Sequence, residues 1–167
     1  MTTGHFENEA HIFAPLRPKT SWLTVFCNPG YVEAIEGRGV TYCFMGQYNK
    51  AIVDLTEAIH FRPNFIEAYK CRSTAYLSLE RFNDALADQD EILKIKPDDI
   101  GPYCCRAYIY FTMKRYDKAI PEWTKVIHAK PRDWSNYVAR AICYDNLGNS
   151  SAAEGDRKKA RELGYPR

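Results

Sequence analysis

The chain has 167 residues, enough for one ordinary domain with a sizeable core, and a typical mix of 46% hydrophobic and 26% charged residues. Its net charge of +2 is too mild to point to a nucleic-acid or membrane partner. The unusual component is aromatic, with 12 Tyr and 8 Phe.

In chain order, residues 1–31 come first and carry no basic start followed by an apolar stretch, so they do not read as a secretory signal. The longest apolar candidate, Trp22 to Cys27, is far shorter than a bilayer span. Gly4, Asn8, Pro15, Pro18 and Ser21 suggest irregular structure. Trp22, Val25 and Phe26 are apolar enough to cover the open flank of the unit that begins at residue 32. Pro29 leaves a degenerate half-repeat open, beside a loose tail or a segment folded back on the chain. The expected location is cytoplasmic.

From residue 32 the chain repeats itself. Tyr42, Tyr76, Tyr110 and Tyr144 are 34 residues apart, as are Ala51, Ala85, Ala119 and Ala153. Pro63, Pro97 and Pro131 keep the same interval. Three residue types sharing one period divide the chain at 32–65, 66–99, 100–133 and 134–167. Each unit shows helical spacing of apolar residues twice. In the second unit one helix is predicted from Ile66 to Leu79, then a turn from Glu80 to Asn83, then a second helix running to about Lys96. Asn49, Asn83, Asp117 and Ser151 stand where caps of the second helices are expected. Gly46 and Gly148 suit the exits of first helices, and the prolines close second helices.

Size and charge recur as well. The eighth place holds Gly39, Ser73, Ala107 and Ala141, and the twentieth holds only alanine, so paired backbones can approach closely. Arg38, Arg72, Arg106 and Arg140 occupy the seventh place, matched by Asp54, Asp88, Glu122 and Asp156 at the twenty-third. These read as ion pairs between the helices of a unit, since a guanidinium already paired is not free for a ligand.

These residues resemble the tetratricopeptide repeat (TPR) family, whose pattern appears in the third unit as Tyr103, Arg106-Ala107, Tyr110, Ala119, Trp123, Val126 and Pro131. Arginine replaces the expected leucine in every unit, Gln89 and Arg157 replace an aromatic, and Tyr165 stands where a last proline was due. The resemblance implies an all-α fold, a right-handed α-solenoid of four tandem 34-residue helix-turn-helix repeats. The polar Arg157 and Arg161 mark the fourth unit as a C-terminal cap. The 34-residue period and mild charge separate it from pentatricopeptide RNA binders.

The resemblance further implies a concave groove lined by first helices. Carried over, its residues are Glu36, Val40 and Phe44 in the first unit, then Glu67, Lys70, Cys71, Thr74 and Leu77 in the second. The third contributes Cys104, Cys105, Tyr108 and Phe111, and the fourth Val138 and Ile142. Such a surface, largely apolar with an acidic edge that includes Glu33, suits a protein or peptide partner with apolar anchors and some positive charge. The family's clamp for acidic chaperone tails needs Lys and Asn, then Asn, then Lys and Arg. Only Lys70 fits, so no chaperone-tail binding by that route is expected.

Motifs of catalysis are missing: no phosphate-binding glycine loop, serine-nucleophile elbow or zinc-binding His-Glu-x-x-His segment occurs. Six irregularly spaced cysteines read as reduced thiols, and the group around Cys71 and Cys105 reads as small buried hydrophobes ahead of a soft-metal or redox site. The expected protein is thus a non-catalytic interaction adaptor or scaffold. It needs no metal or cofactor, and nucleic acid and membrane are not expected partners. A structural module that self-associates into a homo-oligomer is the alternative.

Overall fold

Eight α-helices make up the computed structural model, which describes residues 30–166 and contains no strand among them. They are α1 (Tyr31–Phe44), α2 (Tyr48–Phe61), α3 (Ile66–Ser78), α4 (Phe82–Ile95), α5 (Gly101–Thr112), α6 (Tyr116–Ala129), α7 (Trp134–Asn146) and α8 (Ser150–Glu162). Consecutive helices pack as antiparallel pairs, α1 with α2 through to α7 with α8, and each pair stacks on the next to build an α-solenoid. Trp22, Val25 and Phe26 lie outside the described residues.

Small residues set the spacing within pairs. Ala51, Ala85, Ala119 and Ala153 have no exposed surface, and Gly39, Ser73, Ala107 and Ala141 are buried against them. A Cβ added to Gly39 would sit 2.9 Å from Cγ of Leu55, so that pair is closed to the limit. The core is a chain of small clusters and has no single centre: one forms around Leu55, Ala58, Ala68 and Ala75, another around Ala107, Trp123, Val126 and Cys143. Both clusters join one pair to the next, because neither pair hides its apolar side alone.

Prolines end the second helices as expected. The residues before them, Arg62, Lys96 and Lys130, have φ of −134°, −137° and −128°, the extended conformation that a following proline ring imposes. α8 stops differently. Gly164 adopts a positive φ of 99°, and the Tyr165 N–H returns to the Ala160 carbonyl at 3.0 Å.

The second helices begin earlier than their expected caps. Asn49, Asn83, Asp117 and Ser151 lie inside the first turn, and the capping residues are Gln47, Arg81, Arg115 and Asn149. Only Asn149 caps with its side chain, accepting from the Ala152 N–H at 3.2 Å. The cause is a tight backbone turn. The N–H groups of Gln47, Arg81, Arg115 and Asn149 bond to the carbonyls of the four period tyrosines at 2.8–2.9 Å, so the next helix starts at once.

That turn requires a left-handed residue, with φ of 70° at Gly46, 56° at Glu80, 57° at Lys114 and 74° at Gly148. Glycine takes this conformation freely, whereas a residue with a Cβ pays about 1–2 kcal/mol. Lys114→Gly should therefore gain about 0.5–1 kcal/mol after the extra freedom of the unfolded chain is subtracted, read as a higher urea midpoint.

Candidate functional site

The period arginines do more than pair within their own unit. Arg38 donates to Asp54 from Nε at 2.6 Å and Nη2 at 3.0 Å; Arg72 and Arg140 grip Asp88 and Asp156 in the same two-pronged way. Arg72 also donates to Thr56 Oγ1 at 2.9 Å and Arg140 to Thr124 Oγ1 at 2.9 Å, both on the second helix of the preceding pair. Arg106 does likewise with Asp90. Each of these three arginines clasps its own pair and the one before. Among the described residues Arg38 bonds only Asp54, and its side chain is 58% exposed against 14% for Arg72. In the Arg106 pair the longer Glu122 meets the guanidinium by one bond of 3.1 Å, leaving Arg106 Nε and Glu122 Oε2 buried without partners.

The other first-helix residues expected to line a groove differ in exposure. The apolar members divide. Phe44 is 88% exposed, Tyr108 58% and Ile142 39%, whereas Val40 and Leu77 are half-buried. Phe111 turns toward α6 and meets Tyr116 edge-on at 5.6 Å between ring centres, so only part of it faces outward. Cys104 and Val138 likewise pack partly on the core clusters.

The polar members meet across neighbouring pairs. Glu36 lies near Glu67 and Glu33; burial, and then repulsion from those two carboxylates, raises its pKa. Lys70 bonds Glu67 at 2.9 Å. The Cys43 thiol approaches the Cys71 carbonyl at 3.8 Å, while Cys105 feels the charge of Lys70 on the preceding pair. Thr74 is exposed and spends its hydroxyl on the Lys70 carbonyl at 3.0 Å. The structure thus brings Glu36, Glu67, Lys70 and Cys71 of the first two pairs near one another.

Thiol chemistry finds little support there. Burial, followed by the nearby Glu36 carboxylate, pushes the Cys71 thiol up to about 11, and desolvation raises Cys43 and Cys104 as well. A thiol held protonated is a poor nucleophile and a poor metal ligand. The expectation of small buried hydrophobes around Cys71 and Cys105 does not hold, because the first helices leave Cys105 exposed and Cys71 only half-buried. Among the described cysteines only Cys143 is buried. No group of three or more His, Cys, Asp or Glu placed to hold a metal occurs among the described residues. Nor is any described helix long and apolar enough to cross a membrane.

Two features escaped the sequence. One is the second grip of the arginines on Thr56, Asp90 and Thr124, although a hydroxyl or carboxylate recurring at the twenty-fifth place is a visible signal. The other is a cavity of about 710 Å³ at the outer end of the last pair, lined by Val138 and Ile142 of α7, Arg157 and Arg161 of α8, and Tyr165 and Pro166.

No family model and no curated protein matches the sequence. Solved structures do match. A crystal structure of MamA superposes with a TM-score of 0.74 at 25% identity, over 84% of this chain and 82% of that one. A tetratricopeptide repeat protein from Parabacteroides merdae gives 0.66 at 25% identity, over 86% of this chain and 56% of the other. The chain is a TPR-like repeat protein. A second MamA crystal structure, with a TM-score of 0.74 at 25% identity over 84% of this chain and 76% of its own, agrees. For a TPR-like protein this likeness supports a protein-interaction or scaffold role in general.

Proposed function

We propose that this TPR-like chain is a non-catalytic, cytoplasmic adaptor, built of units 32–65, 66–99, 100–133 and 134–167, whose first helices form a groove for a segment of a partner protein. The observation that carries this reading is the exposure of Phe44, Tyr108 and Ile142 on first helices, in a molecule that hides Leu55, Ile92 and Ile109 completely. Large apolar side chains left exposed favour an interaction surface, and aromatic anchors dominate such contacts. Acidic Glu36 and Glu67, close to each other on the first two first helices, favour a partner that brings a basic residue along with its apolar anchors. The chaperone-tail clamp plays no part, because Lys70 is engaged by Glu67 and no second clamp residue accompanies it.

Affinity capture from native lysate, read by mass spectrometry, tests the groove. The Tyr108→Ala plus Phe111→Ala variant should lose its heterologous partner by tenfold or more, equivalent to at least about 1.4 kcal/mol. Retention of every partner alongside a changed elution volume would favour a self-associating structural module.

A further inference from the structure

We infer that the cavity at the outer end of the fourth pair binds an acidic, apolar segment of another protein. The inference rests on the groove reading in part, since Val138 and Ile142 belong to both surfaces.

The three internal junctions define what this end of a second helix ordinarily meets. Their twenty-fourth, twenty-fifth and twenty-eighth places hold Leu55, Thr56 and Ile59, then Gln89, Asp90 and Leu93, then Trp123, Thr124 and Ile127. The middle residue of each set accepts from the arginine of the next first helix. The flanking apolar residues pack beside it, Leu55 with Ala68 and Ala75, and Ile127 with Tyr137. On α8 the same places hold Arg157, Lys158 and Arg161. Merely keeping a face hydrated needs polarity of either sign. Cations stand here where the other helices carry acceptors and hydrocarbon. Arg157 and Arg161 are paired with Asp145 and Glu154, and among the described residues Lys158 is left as the charge that favours a carboxylate.

Arg157 and Arg161 line a half-open cleft whose volume falls within the size range of ligand sites. Val138, Ile142 and Tyr165 supply its apolar wall, and Ile142 and Tyr165 are each more than a third exposed. Donors remain available. Arg157 spends Nη1 and Nη2 on Asp145, leaving Nε; Arg161 uses one nitrogen on Glu154; and Lys158 forms no ion pair among the described residues. Carboxylates meeting these groups make charge-assisted hydrogen bonds, while apolar side chains next to them fill the cavity.

A second copy is the wrong occupant. Stacked in register, its exposed Arg38 would arrive at Lys158, cation against cation, where every internal junction offers that arginine an acceptor.

Fluorescence anisotropy with the full chain tests the inference. The probe is a labelled amphipathic peptide with a Leu and Phe stripe flanked by Glu, and the control is its Lys analogue. The acidic peptide should bind saturably, at least tenfold tighter than the control, and weaken as salt rises. Lys158→Glu with Arg161→Glu should remove that preference, and Ile142→Ser should weaken binding tenfold, with unchanged circular dichroism in each. Equal binding of both peptides, or no binding of the acidic one, overturns the inference. The groove reading would still stand on the capture experiment, which alters neither α8 nor Ile142. Self-assembly of the wild-type chain, detected by sedimentation velocity and lost in Ile142→Ser, would assign the face to a second copy and overturn it too.

Discussion

Arg72→Met should destabilise the fold by about 3–5 kcal/mol, because it strands a buried carboxylate. Asp88 is 3% exposed, and burial pushes its pKa up, an effect that Arg72 only partly offsets. With the guanidinium gone, Thr56 also loses its donor, so the junction between the first two pairs weakens along with the second pair. The pH dependence has a definite sign. An acid whose pKa is higher folded than unfolded binds its proton more tightly in the native state, so stability falls as pH rises from the unfolded value toward the folded one. The deficit of Arg72→Met relative to wild type should therefore be larger at pH 7 than at pH 4.5 in urea titrations. Arg72→Met with Asp88→Leu should recover most of the loss, since neither charge then remains buried. The same change at Arg38 should cost less than at Arg72. It also strands a buried carboxylate, Asp54, but the guanidinium is 58% exposed, so water can reach the pair, and it makes no bond to a preceding pair among the described residues. Equal losses at the two positions would show that the Arg72 bond to Thr56 and the deeper burial of its guanidinium add nothing.

Ala119→Leu and Ala85→Leu should each cost about 1–3 kcal/mol through overpacking. Both alanines have no exposed surface, and both sit where two helix backbones come closest. Ala119 is enclosed by Ala107, Trp123 and Val126, and the Ala85 carbonyl accepts from the Ser73 hydroxyl at 3.2 Å, so neither site has slack to take three extra carbons. Ala87, two residues beyond Ala85 and exposed, is the control: Leu there should change stability by no more than about 0.5 kcal/mol. Urea midpoints of the three variants separate helix propensity, which they share, from packing, which they do not.

How far such features could be read beforehand depends on whether their signal lies within one period or between periods. Ala85 and Ala119, the arginine-carboxylate pairs and the proline stops are properties of a single repeat, and they emerged from comparing four copies. Gln89 looked like a defect, an amide where an aromatic belongs. It is buried, and its Nε2 donates to Ser73 Oγ at 2.8 Å, so one departure from the pattern satisfies another. The caps were misplaced because Asn and Asp are good capping residues by type, yet here the backbone closes the turn itself. Which first-helix residues stay exposed was not legible: Phe111, one repeat place before that of Phe44, packs against Tyr116, while Phe44 stays 88% exposed. The cavity beside Arg157 was hidden for a similar reason. Its wall combines α7, α8 and the residues after them, and no period relates those three.

The back-reaching grip of Arg72, Arg106 and Arg140 has a mechanical corollary. A rivet through two plates holds only while both are present, so the rigidity of this spiral resides in its joints more than in its steps. Any partner that tilts one step must therefore strain the rivets on either side, and shape is handed along the row as a spring hands on a twist.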